Sequence, residues 1–175
     1  MKRQICLLSL LGSMAFCLFL FSCKKNNGQS GQSEKAQIVT GVWKQTDIVL
    51  GVPVSVNVGG TDYDFPSGTS MITDPYLTAF GVTSFFVPTQ NNVYTFTDSG
   101  TYRINGATDV ILPVAGNSGK WSLAVYDAVL KLTNAADSAD PHWIDGITSD
   151  SLALSLTVNI PGLGTAPLTL LLQKQ

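Results

Sequence analysis

Few side chains in this chain are suited to chemistry. One histidine, His142, stands in Asp140-Pro141-His142-Trp143. As a catalytic base it would need a serine and an aspartate delivered by the fold, because a general base must first meet its partner in geometry. An exposed loop residue is the expectation instead. Asp62 and Asp64 would share one face of an extended segment, and Asp137 and Asp140 would meet across one helical turn. Either pair offers carboxylates for a weak Ca²⁺ site, yet neither follows the spaced pattern of a calcium loop. The glycine-rich run GVPVSVNVGG lacks the Gly-Lys-Ser/Thr ending of a phosphate loop. The expectation is a non-catalytic protein with no metal site and no cofactor.

The three cysteines carry more information. Met1-Lys2-Arg3 is a basic start, and an apolar run follows over 5–21, the layout of a secretory signal peptide. The run is at the short limit of the roughly 17–25 residues that a membrane span needs. Cys6 and Cys17 fall inside the signal, so Cys23 is left alone and no disulfide framework is possible. With one histidine and no free thiol left over, a zinc site of the usual ligands is excluded as well. At the end of the apolar run Leu20-Phe21-Ser22-Cys23 resembles the bacterial lipobox, with Phe21 where a small residue is usual. The resemblance implies removal of 1–22 and lipidation of Cys23, by a thioether-linked diacylglycerol and an acylated amine. More than one chain makes such an anchor stable, since each buried methylene contributes about 0.8 kcal/mol.

Behind the cysteine, Asn, Gln, Gly and Ser dominate and no large apolar group appears before Ile38, so 23–37 is expected to be a flexible tether. Lys24 and Lys25 follow the cysteine directly, and the first acidic residue is Glu34. Some Gram-negative lineages are understood to mark surface lipoproteins with early acidic residues. Their absence favours the periplasmic face.

The remaining domain, 38–175, is long enough to bury roughly two-thirds of its unfolded surface. Lys2 and Arg3 leave with the signal, so eight basic groups face twelve acidic ones, a net charge of −4. That balance does not suggest a nucleic-acid partner. Nearly all the pattern is β. Apolar residues recur at every second position over 48–58, with Gly51 and Pro53 marking a bend, so one strand or a pair is expected there. Tyr94 and Phe96 lead into Asp98-Ser99-Gly100, and Tyr102 and Ile104 lead out, a hairpin with a turn suited to left-handed backbone. Trp121, Leu123 and Val125 precede a tight turn near Asp127, and Leu130 and Leu132 follow it. Leu152, Leu154, Leu156 and Val158 alternate with small polar residues, and the chain returns through Leu168, Leu170 and Leu172.

Two stretches interrupt this meander. Over 59–92 glycines, prolines and the aromatics Tyr63, Phe65, Tyr76, Phe80, Phe85 and Phe86 occur without sustained period, which reads as a long insertion. Within it Asp74-Pro75 suits a helix start, Asp as N-cap and Pro at the first helical position. The second, NAADSADPHW, reads as a polar loop or short helix. About eight or nine short antiparallel strands remain, an all-β meander that closes as an up-and-down barrel or stacks as a β-sandwich.

Gly41-Val42-Trp43 resembles the G-x-W signature opening lipocalins, and YTFTDSGTYRI, GKWSLAVYDAVLKLT and the strands after them resemble the lipocalin-like domains of bacterial outer-membrane lipoproteins. The resemblance spans 40–174. It implies an eight-stranded barrel, a small apolar or amphipathic ligand inside it, and an arginine closing over the first tryptophan. That arginine has no match in the last strand; Lys174, which lacks the planar guanidinium, or Arg103 is left for the role. Phe96, Tyr102 and Trp121 are the expected ligand-lining residues, with 59–92 as a lid. The alternative is a filled barrel serving as a structural or protein-interaction module of the envelope.

Overall fold

The computed structural model describes residues 32–112, 114–160 and 164–175. Cys23, the signal segment and most of the tether lie outside the described residues.

A short helix, α1 (Glu34–Val39), opens the described chain inside the segment read as tether. The Ser33 hydroxyl caps it by accepting from the Ala36 amide at 3.1 Å, and Ala36 and Val39 are buried. Strands β1 (Gly41–Leu50), β2 (Val54–Val58) and β3 (Thr61–Phe65) follow. Next come α2 (Pro75–Ala79), α3 (Thr83–Phe86), a 3₁₀ turn (Val87–Thr89) and β4 (Val93–Phe96). The chain continues through β5 (Thr101–Asn105), β6 (Ser118–Ala124), β7 (Val129–Thr133), β8 (Ala139–Ile147), β9 (Ser151–Ile160) and β10 (Gly164–Lys174).

Eight of these strands form a closed antiparallel barrel in the order β1-β10-β9-β8-β7-β6-β5-β4, and β2 with β3 makes a separate two-stranded ribbon. This is the barrel expected from the sequence, not the sandwich. Closure falls on β1, which pairs with β4 over its first residues (Gly41 with Phe96, Lys44 with Val93) and with β10 from Trp43 to Leu50. The register shifts between Gln45 and Asp47, a bulge that gives the strand the extra bend closure requires. Alternation does the sorting of faces. In β9, Leu152, Leu154, Leu156, Val158 and Ile160 are all at or below 5% exposure while their neighbours face outward.

The barrel has two unlike ends. At the entry end lie α1, the start of β1, the end of β10 and the turns β4–β5, β6–β7 and β8–β9. At the far end lie the ribbon, α2, α3 and the 106–117 loop. The period-two run 48–58 is split between β1 and β2, and the excursion from the barrel begins at residue 51, earlier than residue 59. Gly59 and Gly60, at φ 62° and 88°, make the turn that returns the ribbon on itself. Asp74 caps α2 as expected, its Oδ1 accepting from the amides of Tyr76 and Leu77, both at 2.9 Å. The segment NAADSADPHW is neither a long loop nor a helix. Asn134 organises a short turn, accepting through its side chain from Ala136 and Ser138, and β8 begins at Ala139.

Candidate functional site

Trp43 lies at 0% exposure where the barrel closes, its Nε1 donating to the Val39 carbonyl at 2.7 Å. The Lys174 amine stands 5.1 Å from the centre of the Trp43 rings and donates to the Ile38 carbonyl at 2.9 Å. Lys174 thus takes the position of the closing cation, and Arg103 does not. Arg103 sits between the inward-facing Tyr102 and Ile104 and so faces outward. Gly41 follows from the same arrangement. A Cβ there would come within 2.7 Å of the Lys174 Cε, and its φ of 137° suits glycine.

The three residues expected to line a ligand are all inside the barrel. Phe96 and Trp121 meet edge to face at 5.9 Å, and the Trp121 Nε1 donates to the Thr97 carbonyl at 2.9 Å. The Tyr102 hydroxyl donates to the Ala115 carbonyl at 2.9 Å. Burial, and then the Asp140 carboxylate, push the Tyr102 phenol upward from its ordinary pKa. Phe96, Tyr102 and Trp121 stand at 1%, 3% and 6% exposure, occupied with one another and with the backbone. Around them Ile48, Tyr94, Leu130, Leu132, Leu154 and Leu170 fill the interior.

His142 departs from expectation. It points inward from β8 at 5% exposure, opposite Leu130, and its Nε2 has no partner. Burial lowers its pKa, partly offset by the Asp140 carboxylate and the Ser155 backbone. The aspartate pairs are held by turns and strands. Asp62 accepts from Asn57 at 2.6 Å, and Asp64 pairs with Ser55 across the ribbon. Asp140 accepts from the amides of Val114 and Ala115 at 3.2 and 2.6 Å, while Asp137 sits in the turn at φ 59°. Among the described residues no three metal-ligating side chains gather, and no helix is long and apolar enough to cross a membrane.

The insertion closes the far end. Gln45 in β1 donates from Nε2 to the Thr89 hydroxyl at 2.9 Å and accepts from the Tyr94 hydroxyl at 3.3 Å. Thr89 in turn donates to the Phe86 carbonyl at 2.8 Å. These groups are buried, so the 3₁₀ turn is pinned to the barrel by a satisfied polar network. Above it Phe80 meets Tyr63 edge to face at 5.0 Å and Phe65 at 6.4 Å, stacking the ribbon onto α2.

Between ribbon and barrel this packing leaves an apolar cleft of about 140 Å³. Leu50, Val54, Phe65, Met71 and Leu77 form one side, and Ile160 with Thr165, Ala166 and Pro167 forms the other. Its wall is fixed by backbone: the Gly51 amide donates to the Pro167 carbonyl at 2.9 Å, holding the chain that leaves β1 against β10. A second cleft, about 290 Å³, lies beyond Ile160 between Phe85, Phe86 and Val110. Grooves on the outer wall are larger, about 480 and 660 Å³, but they are open and carry polar residues such as Asp150, Gln173, Arg103 and Asn117. A binding site needs an enclosed apolar surface more than volume, and among these clefts of the described residues the first comes nearest to it. Phe65 and Phe86 belonged to the aromatic set of the insertion. Leu50, Met71, Ile160 and Ala166 gave no signal, since any core residue has the same character.

No protein-family model matches the chain, and no curated protein matches it. The structure by itself defines an eight-stranded antiparallel barrel with a filled interior and an apolar cleft under an appended ribbon.

Proposed function

We propose that this chain is a non-catalytic lipoprotein of the bacterial cell envelope, lipocalin-like and anchored through Cys23 to the periplasmic face of the outer membrane. Its ligand is small and apolar or amphipathic. It binds in the cleft between ribbon and barrel, not among Phe96, Tyr102 and Trp121. The cleft carries this reading. At about 140 Å³ it has the volume of a single ring or a short stretch of acyl chain, since an engineered apolar cavity of about 150 Å³ stays dry and takes up benzene. Thr165 at its edge offers a hydroxyl for a polar head.

Native mass spectrometry of the Cys23→Ala protein with hexanoate, whose short tail matches the cleft, tests the site. A one-to-one adduct is expected, and Ala166→Phe, which fills the cleft from a buried position on β10, should remove it while near-ultraviolet circular dichroism stays unchanged. An adduct that survives Ala166→Phe overturns the cleft as the site.

The filled interior favours a second reading, in which the barrel is a scaffold and the insertion docks an envelope protein. Absence of any adduct together with a partner cross-linked through the ribbon would decide for it.

A further inference from the structure

We infer that the barrel stands on the bilayer by its entry end, with the β6–β7 turn dipping Val125 and Tyr126 into the lipid headgroup region and the cleft turned away from the membrane. The inference rests on the proposed anchor at Cys23.

The described chain is sewn to the entry end from its first residue. The Gln32 side chain donates to the Asp98 carbonyl in the β4–β5 turn, and the Lys35 amine donates to the Asp127 carbonyl in the β6–β7 turn at 3.2 Å. Nine peptide steps separate Cys23 from Gln32. Even fully extended they reach no more than about 32 Å. The eleven residues of β10 measure about 36 Å along the strand, or roughly 28 Å along a barrel axis tilted by about 40°. To bring the far end to the membrane, the tether would have to run back along the whole wall, nearly taut, with the ribbon still projecting beyond. Entry end down is the arrangement that does not demand such a reach.

The entry end is also shaped for lipid. Tyr126 is fully exposed and Val125 more than half exposed. Val125, Tyr126 and Asp127 all hold left-handed backbone, at φ 51°, 55° and 63°, so the fold keeps two apolar side chains at the tip in a conformation they rarely adopt. Trp143 lies nearby on the outer wall, where β8 pairs with the start of β7, and is 56% exposed. Tyrosine and tryptophan with an apolar body and a polar tip are the side chains that settle at a membrane–water boundary. Asp98 and Asp150 on the flanking turns keep the contact shallow.

The test uses the full acylated protein in phosphatidylethanolamine–phosphatidylglycerol vesicles, with Tyr126→Cys or Thr61→Cys carrying an environment-sensitive fluorophore. Once Cys23 is acylated the mature chain has no other thiol, so each label is unique. Nitroxide-bearing lipids should quench the label at position 126 several-fold more than the one at the ribbon tip, with a blue shift only at 126. Equal quenching, or stronger quenching at 61, overturns the orientation. Intact mass separates the two claims. Acylated protein with an unquenched label at 126 refutes the orientation alone, whereas unmodified Cys23 refutes the anchor and the orientation with it.

Discussion

The amine of Lys174 does two things at once: it faces the rings of Trp43 and it satisfies a carbonyl at the end of α1. Replacing it with methionine keeps most of the stem and removes both. A cation over an aromatic face contributes about 0.5–1 kcal/mol when exposed, and a hydrogen bond from a charged donor about 1.5–3 kcal/mol. Lys174→Met is therefore expected to lower unfolding free energy by about 1–2 kcal/mol in urea titrations, with hydrogen exchange rising first in α1. A loss of only a few tenths would mean that the stem alone closes the barrel. The sequence pointed to Trp43 and left Lys174 and Arg103 as rival cations. Alternation already separated them: with Tyr102 and Ile104 inward, Arg103 had to face water. His142 was misjudged because its polar neighbours suggested a loop. The inward side chains of β8 are Asp140 and His142 before Ile144, so hydrophobicity there carries no period.

At the scale of elements, the insertion is held to the barrel by polar bonds below and aromatic packing above. Gln45 is the hub of the lower layer, and removing it takes the acceptor from the buried Tyr94 hydroxyl and cuts the side-chain bond to Thr89, which keeps only its bond to Phe86, without changing a strand. An unsatisfied buried polar group costs about 1–3 kcal/mol. Gln45→Leu should accordingly release the 3₁₀ turn, seen as faster amide exchange over 87–92, while β9 and β10 keep their protection. Uniform loss of protection would show instead that insertion and barrel unfold as one unit. Hairpins such as β4–β5 and β9–β10 were legible because their partners are neighbours in the chain. The ribbon was not, since a period of two identifies a strand but not its partner, and Val54–Val58 continues the phase of β1. The cleft was illegible for a further reason: its lining is gathered from segments more than eighty residues apart.

For the whole molecule, closure through β1 ties first strand to last, so burial is shared by the entire barrel and so are its titrations. His142, Tyr94 and Tyr102 are buried within it. His142 is held below its ordinary pKa of 6.5, mainly by burial. The unfolded chain therefore takes up the proton first as pH falls through 6.5, and stability drops until the folded state also protonates. Burial raises both phenols above their ordinary 10.0. There the unfolded chain loses its protons first, so stability drops as pH rises beyond 10. These three groups predict a plateau between about pH 6.5 and 10 with a fall on either side, readable as the urea midpoint at constant m-value. Each limb has its own control. His142→Leu, which fills the same apolar space without the unpartnered Nε2, should flatten the acid limb and leave the alkaline one. Tyr94→Phe should reduce the alkaline limb and leave the acid one. An acid limb that persists unchanged in His142→Leu would place the proton uptake on another group and remove His142 as the cause.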